Sequence, residues 1–273
     1  MQLKEQLVGA RAIIGQTGMI SMPKEVIELQ RLFMKYEVPN FADVSNIIGQ
    51  NVVLAGEVVQ TANLPSVKGR YPKEILSIKD AVDVLGVSRL KNLVKAIGLK
   101  LTVATAGLDI LIKHSLSVAT VSAVIAQQTK LISTDEAYLL GLFHNVGAIV
   151  MAKYDAAYLT HFQKSLSAPI SSMPIEIERY KASHGVVGLL VAENWGLEDV
   201  FKKVIIMHHE SDLAVMRNVE VRKLVAVIQL ANTIVAEKVF QVYMTPELQT
   251  MAAQCVANLE LNEDQINEIW RAV

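Results

Sequence analysis

A single cysteine, Cys255, in 273 residues leaves no partner for an internal disulfide and excludes any multi-cysteine zinc site. It suits a reducing compartment. Net charge is also missing: 26 Lys and Arg stand against 27 Asp and Glu, giving −1, which argues against nucleic acid held by bulk electrostatics and leaves only a local basic face open. Glycine and proline are few, 14 and 7 residues, and there is no internal repeat, low-complexity segment or long flexible linker. No apolar stretch of signal-peptide length follows Met1–Gln6. No uncharged apolar run of about 18 residues occurs; the longest greasy stretches, Tyr138–Ala152 and Leu224–Ala236, read as buried helices. The expected setting is therefore the cytoplasm, with no membrane. What the chain has is apolar mass: 52% hydrophobic and 19% charged residues, too apolar for disorder and enough for one large domain or two small ones. Aromatics are only 5%, so Val, Leu, Ile and Ala must fill the core.

The dominant period is 3.6 residues, not 2. Val26, Leu29, Phe33 and Tyr36 fall on one helical face behind Ser21 and Pro23. Ser77–Asp80 resembles a capping box, Gly86 should stop the helix that follows, and Ser88 should open the next. Ser133–Glu136 is a second capping box, expected to open one long helix through His144 to about Tyr154. Further helices are expected over Ile175–Ala182, Gly185–Trp195, Glu198–His209 and Glu220–Phe240, then behind Thr245-Pro246-Glu247 and behind Asn262. No convincing alternation of strand residues occurs, so the expected class is all-α.

Histidine carries the chemical signal. Of the six, His144, His184, His208 and His209 lie on or at the ends of expected helices, and His114 precedes them in the same apolar part of the chain. Any one alone reads as a hydrogen-bonded core residue. Together they suggest a site, because neutral imidazole is the commonest metal ligand. His161 stands outside this spacing and reads as a surface histidine. Cys255, in line with Met251 and Leu259, reads as core filling. Lys68–Lys100 holds eight basic and three acidic residues and reads as a solvated face. Only Tyr71 interleaves that stretch, against a stacking surface for nucleic acid.

The order His114, His144-Asn145, His184, His208-His209, Asn232 resembles that of the HD-domain metal-dependent phosphohydrolases, and more closely the HDOD family, a signalling branch of that superfamily. The motifs are Lys113–Ala119, Asp135–Gly147, Glu178–Gly188 with Asn194-Trp195, and His208-His209; upstream, Met22-Pro23, Gln60–Asn63, Ser77–Val82 and Leu85-Gly86 also match. The resemblance covers roughly residues 20–215. It implies an N-terminal helical lobe to about residue 108 and a histidine-bearing lobe after it, with residues 1–19 as an extension and 216–273 as helices completing or packing on the domain.

The departures define the expected function. The family's His-Asp pair is His144-Asn145 here, and its late Asp is Asn232. Neutral amides neither offset cation charge nor bridge two ions, so the site should carry little negative charge and should not activate water. The Gly-Tyr-Pro triplet of the cyclic di-GMP-hydrolysing branch is absent after His208-His209, and the Lys after its His-Asp motif is Ala148. The resemblance therefore implies a non-enzymatic regulatory domain of a bacterial signalling pathway, acting through a protein partner. The degenerate cluster comprises His114, His144, Asn145, His184, His208, His209 and Asn232. No cofactor is expected beyond a weakly held divalent metal on the histidines. The alternatives are a metal-dependent phosphohydrolase acting on a nucleotide or cyclic dinucleotide, and a nucleotide sensor using the same pocket.

Overall fold

The computed structural model describes residues 2–69, 71, 73–103 and 108–272. The chain is 75% helical and has no strand among the described residues, in keeping with the periodicity. In order the helices are α1 (Leu3–Thr17), α2 (Lys24–Lys35), α3 (Phe41–Gly49), α4 (Val52–Ala62), α5 (Pro65–Lys68), α6 (Ile78–Val103), α7 (Asp109–Thr129), α8 (Thr134–Phe143) and α9 (Val146–Tyr154). They continue with α10 (Tyr158–Ser165), α11 (Met173–Tyr180), α12 (His184–Asn194), α13 (Asp199–Met207), α14 (Val219–Lys238), α15 (Pro246–Leu259) and α16 (Glu263–Arg271). They form two compact units, Ser21–Ala106 and a second made of Met1–Ile20 with Gly107–Val273.

The smaller unit is built by α2 to α6 around Val26, Leu29, Phe33, Ile48, Leu54, Val58, Val82 and Leu90. Tyr36 is not part of this face: it caps α2 and is 46% exposed. Asn63 ties down the loop after α4, donating to the Ile75 carbonyl at 2.7 Å and accepting from the Ile75 N–H at 2.9 Å, as a neighbouring strand would. Ser77 caps α6 through the Asp80 N–H, and α6 kinks at Gly86 (φ 69°, ψ 168°). Two residues of the basic stretch are engaged within this unit through these contacts: Lys100 pairs with Glu57 at 2.9 Å, and Lys91 lies 5.8 Å from the Phe33 ring centroid. Arg70 of that stretch, and the Pro72 of Tyr71-Pro72, lie outside the described residues.

The larger unit holds all six histidines. Ser133, Thr245 and Asn262 cap their helices as expected, and Ser183, not among the expected caps, caps α12; each accepts a backbone N–H of the first turn. The first twenty residues belong to this unit. Helix α1 packs on α9 and α12, and the buried Trp195 donates its indole N–H to the Ile20 carbonyl at 3.0 Å. Helix α7 has the length and mean apolarity to cross a bilayer, although Asp109 and Lys113 keep it from being an uncharged run. Half of its apolar window is buried in the unit, and His114, Ser115 and Ser122 lie on the buried side.

The single long helix expected from Ser133 to Tyr154 is two helices. Asn145 leaves helical geometry (φ −106°, ψ 18°) between α8 and α9. The reason is close packing in two directions. Gly141 of α8 lies so near Ala119 of α7 that a Cβ would stand 2.6 Å from its Cα, and Gly147 of α9 presses on the His184 carbonyl and the Gly188 N–H of α12. Breaking the helix between these glycines lets each half reach its own neighbour. Gly147→Ala is therefore expected to destabilise this unit by roughly 3 kcal/mol or more, since only backbone atoms are there to move aside. Gly15→Ala, on α1 with nothing within 4 Å, should be stabilising by about 0.5–1 kcal/mol. Denaturant melts of both variants check the pair.

Candidate functional site: a buried imidazole cluster

The break at Asn145 places His144 at the end of α8, with His114 beside it on α7, His184 opening α12, and His208-His209 following α13. All of these belong to one unit. His114, His144, His184 and His208 are at most 3% exposed, and His209 is half-buried. The ring centroids of His114 and His144 are 5.6 Å apart, those of His144 and His208 5.3 Å, and those of His184 and His209 4.9 Å.

Each key ring is anchored from behind. His144 Nδ1 donates to the Gly141 carbonyl at 2.5 Å, and His208 Nδ1 to the Ile205 carbonyl at 2.7 Å. His184 Nδ1 donates to the Glu176 carboxylate at 2.9 and 3.0 Å. These bonds fix the proton on Nδ1 and turn the Nε2 lone pair inward. The result is convergence: His184 Nε2 is 3.1 Å from His208 Nε2 and 3.0 Å from His209 Nε2. Gln229 of α14 holds the end of α13 in place by donating to the His208 and Glu210 carbonyls at 3.2 and 2.8 Å. Asn145 sits next to His114, Nδ2 to Nδ1 at 3.4 Å, and Asn232 lines the same small cavity.

The cluster is electrically lean. Burial, with the neighbouring imidazoles His144, His209 and His184, pushes the His114 pKa well below the ordinary range. Burial likewise lowers His208, helped by His209, His184 and His144, and lowers His209, helped by His184. Burial brings His144 down to about 4, against the opposing pull of the Gly141 carbonyl.

Glu176 overturns the expectation of a cluster with little negative charge nearby. It lies on α11, is 1% exposed, and accepts from the His184 N–H at 2.5 Å, the His184 ring and the Tyr158 hydroxyl at 2.8 Å. Burial alone would raise its pKa, but His184 and His161 hold it well below the usual carboxylate range. His161 is also corrected. Its side chain is only 14% exposed, with Nε2 3.5 Å from the Glu176 carboxylate, so it belongs to the edge of this network.

The donor set fits a borderline ion. Nε2 atoms about 3 Å apart approach the ~3.3 Å edge of a tetrahedron built on zinc–nitrogen bonds. Asn145 Oδ1 and His209 Nδ1 are buried without a hydrogen-bond partner, and Asn232 interacts with the His144 ring. His184, His208 and His209 would hold such an ion, with Glu176 behind His184. The all-nitrogen set is wrong for Mg²⁺ or Ca²⁺, which want oxygen.

His209 lines a cleft of about 390 Å³ together with Gln6, Ser183 and Glu210. The cavity lined by His114, Asn145, His184, His209 and Asn232, flanked by Phe162, Leu166, Pro169, Ala236 and Leu248, measures about 30 Å³. That is room for a water or an ion, whereas small-molecule sites run to about 300–1,000 Å³.

An all-helical unit in which imidazoles from four segments meet behind capped helices is the architecture of the HD-type histidine domains. The HDOD domain model matches residues 19–211, and the chain belongs to that family. No curated protein matches it. An HDOD domain protein from Geobacter sulfurreducens superposes with a TM-score of 0.63 at 20% identity, covering 99% of this chain and 98% of that one. A Shewanella amazonensis SB2B protein provisionally named a phosphohydrolase gives 0.68 at 20% identity over 96% of this chain and 93% of its own. A Marinobacter aquaeolei VT8 protein provisionally named for signal transduction gives 0.58 at 16% identity, with 95% of this chain matched to 60% of that one. At these identities the superpositions establish the fold.

Proposed function

We propose that the chain is a non-enzymatic signal-transduction domain of the bacterial cytoplasm that acts through a protein partner, its histidine cluster serving as a polar core. The observation that carries this reading is the lining beside the rings: Asn145 and Asn232 border the 30 Å³ cavity with His114, His184 and His209, and no carboxylate lines it. The donor chemistry agrees. A hydrolytic centre of this type uses metal-bound hydroxide and anionic ligands that balance the metal's charge. Here Asn145 and Asn232 occupy the acid positions, and the buried carboxylate, Glu176, is spent on His184 and Tyr158. A metal on His184, His208 and His209 would cross-link α12 to the end of α13 and act structurally.

The test is an assay of cyclic di-GMP, nucleoside phosphates and a generic phosphodiester with Mn²⁺, Mg²⁺, Co²⁺ or Ni²⁺ added. No turnover above the background of His144→Ala is expected. Metal-dependent turnover that vanishes in His144→Ala would replace this reading with the phosphohydrolase one.

A further inference from the structure

Another cleft in the larger unit shares no lining residue with the histidine cavity. One face of α10, Ala157, Thr160, His161 and Lys164, forms one wall. Ile175 and Arg179 of α11 form the other, and Ala168, Ser171 and Ser172 close one end. It measures about 620 Å³, the size of a small-molecule site.

Its lining is one-sided in chemistry: cations, an imidazole, hydroxyls and apolar side chains, with no carboxylate. The carboxylates nearby are already engaged. Asp155 accepts from Arg179 Nη2 at 2.8 Å, the Tyr180 hydroxyl at 2.9 Å and the Ala157 N–H at 2.9 Å. Glu247 accepts from the Ile170 N–H at 2.7 Å, the Ser171 N–H at 3.3 Å and the Ser171 hydroxyl. Glu176 points inward to His184 and Tyr158. Lys164 is exposed and makes no ion pair within 4.0 Å among the described residues. Arg179 is tethered by Asp155 at the rim, with guanidinium N–H groups to spare. Thr160, also exposed, lines the same cleft.

We propose that this cleft binds a small organic phosphate: the phosphate lies between Lys164 and Arg179 with Thr160 donating to it, and the organic part lies on Ala157, Ala168 and Ile175. Charge-assisted donors on two helices suit a phosphate, and Ile175, 60% exposed, offers apolar surface to the rest of the molecule. The cleft also has a route inward. His161 lines it and places Nε2 3.5 Å from Glu176, which holds His184, so a ligand against that ring stands two side chains from the imidazole cluster. The site is independent of whether the cluster is catalytic.

The experiment is isothermal titration calorimetry on the full chain with ADP, inorganic pyrophosphate and adenosine. ADP and pyrophosphate are expected to bind and adenosine not. Lys164→Glu should weaken ADP at least about ten-fold, and Thr160→Trp, which fills the cleft without changing its charge, should do the same. Lys203→Glu, an exposed lysine outside the cleft, should leave affinity unchanged. Thermal melts would confirm that each variant is folded. Four results overturn the proposal: no heat with ADP or pyrophosphate at millimolar concentration, adenosine binding as well as ADP, Lys164→Glu and Lys203→Glu weakening it equally, or binding that ignores Lys164→Glu but is lost in His184→Ala.

Discussion

Chelator-treated protein taken from pH 7 to pH 5 is expected to lose most of the stability of its histidine-bearing unit. His114, His144, His208 and His209 are held neutral in the fold, with pKa values below that of an exposed imidazole. Unfolded, each titrates near 6.5. Between the two values the unfolded chain binds protons that the folded chain does not, so stability rises with pH there. The contribution is fully present above about 6.5 and is lost as pH falls toward the folded values. For His144, lowered to about 4, the loss is roughly 3 kcal/mol at completion. The other three are shifted in the same direction, so their losses add to it, against a typical total stability of about 5–15 kcal/mol. Melting temperature followed by far-ultraviolet circular dichroism should be flat above pH 7 and fall steeply below pH 6.5. His208→Asn should flatten the slope. A melting temperature constant from pH 7 to 5 would mean that the rings take up protons in the fold as readily as in the unfolded chain. Glu176 acts in a separate window: its folded pKa lies below the unfolded value, so its contribution begins to fall only below about pH 4.5.

How much of this was legible depended on whether the cause was local. The caps at Ser133, Thr245 and Asn262 work within one turn, and the sequence shows them directly. The histidines could be grouped because their order carries a family pattern. The break at Asn145 could not be foreseen from α8 or α9, which are both good helix sequence; it follows from Gly141 and Gly147 each meeting a different distant helix. Glu176 was hidden by an inverted polarity. Ile175 is 60% exposed and Glu176 only 1%, so a reading by hydrophobicity turns α11 the wrong way. The available signal was the stripe Met173, Glu176, Ile177 and Tyr180, one helical face with a carboxylate inside it. His161 followed from the same error, because its buried neighbour is Glu176.

That carboxylate should be the most sensitive single side chain in the unit. Glu176→Ala would strand the His184 N–H, the His184 Nδ1–H and the Tyr158 hydroxyl, all buried. Removing one partner of such a buried network costs about 3–5 kcal/mol. At about 2–4 °C per kcal/mol for a domain of this size, the melting temperature should drop by roughly 10 °C or more. Tyr158→Phe removes one of these hydrogen bonds and should cost only about 1–2 kcal/mol, because Glu176 keeps His184. Glu176→Gln separates shape from charge. It retains an acceptor but no longer favours a proton on His184 Nδ1, so the proton can move to Nε2 and face His208 and His209. Long-range nitrogen-15 spectra of the imidazoles should then show the tautomer change at His184, and Zn²⁺ or Ni²⁺ titrations should give an affinity about 10–100-fold lower than wild type. If Glu176→Gln keeps both the tautomer and the affinity, the carboxylate is a packing element and the orientation of His184 comes from its place at the start of α12. If Glu176→Ala melts within about 2 °C of wild type, water has replaced the carboxylate and the network is wetter than its burial implies.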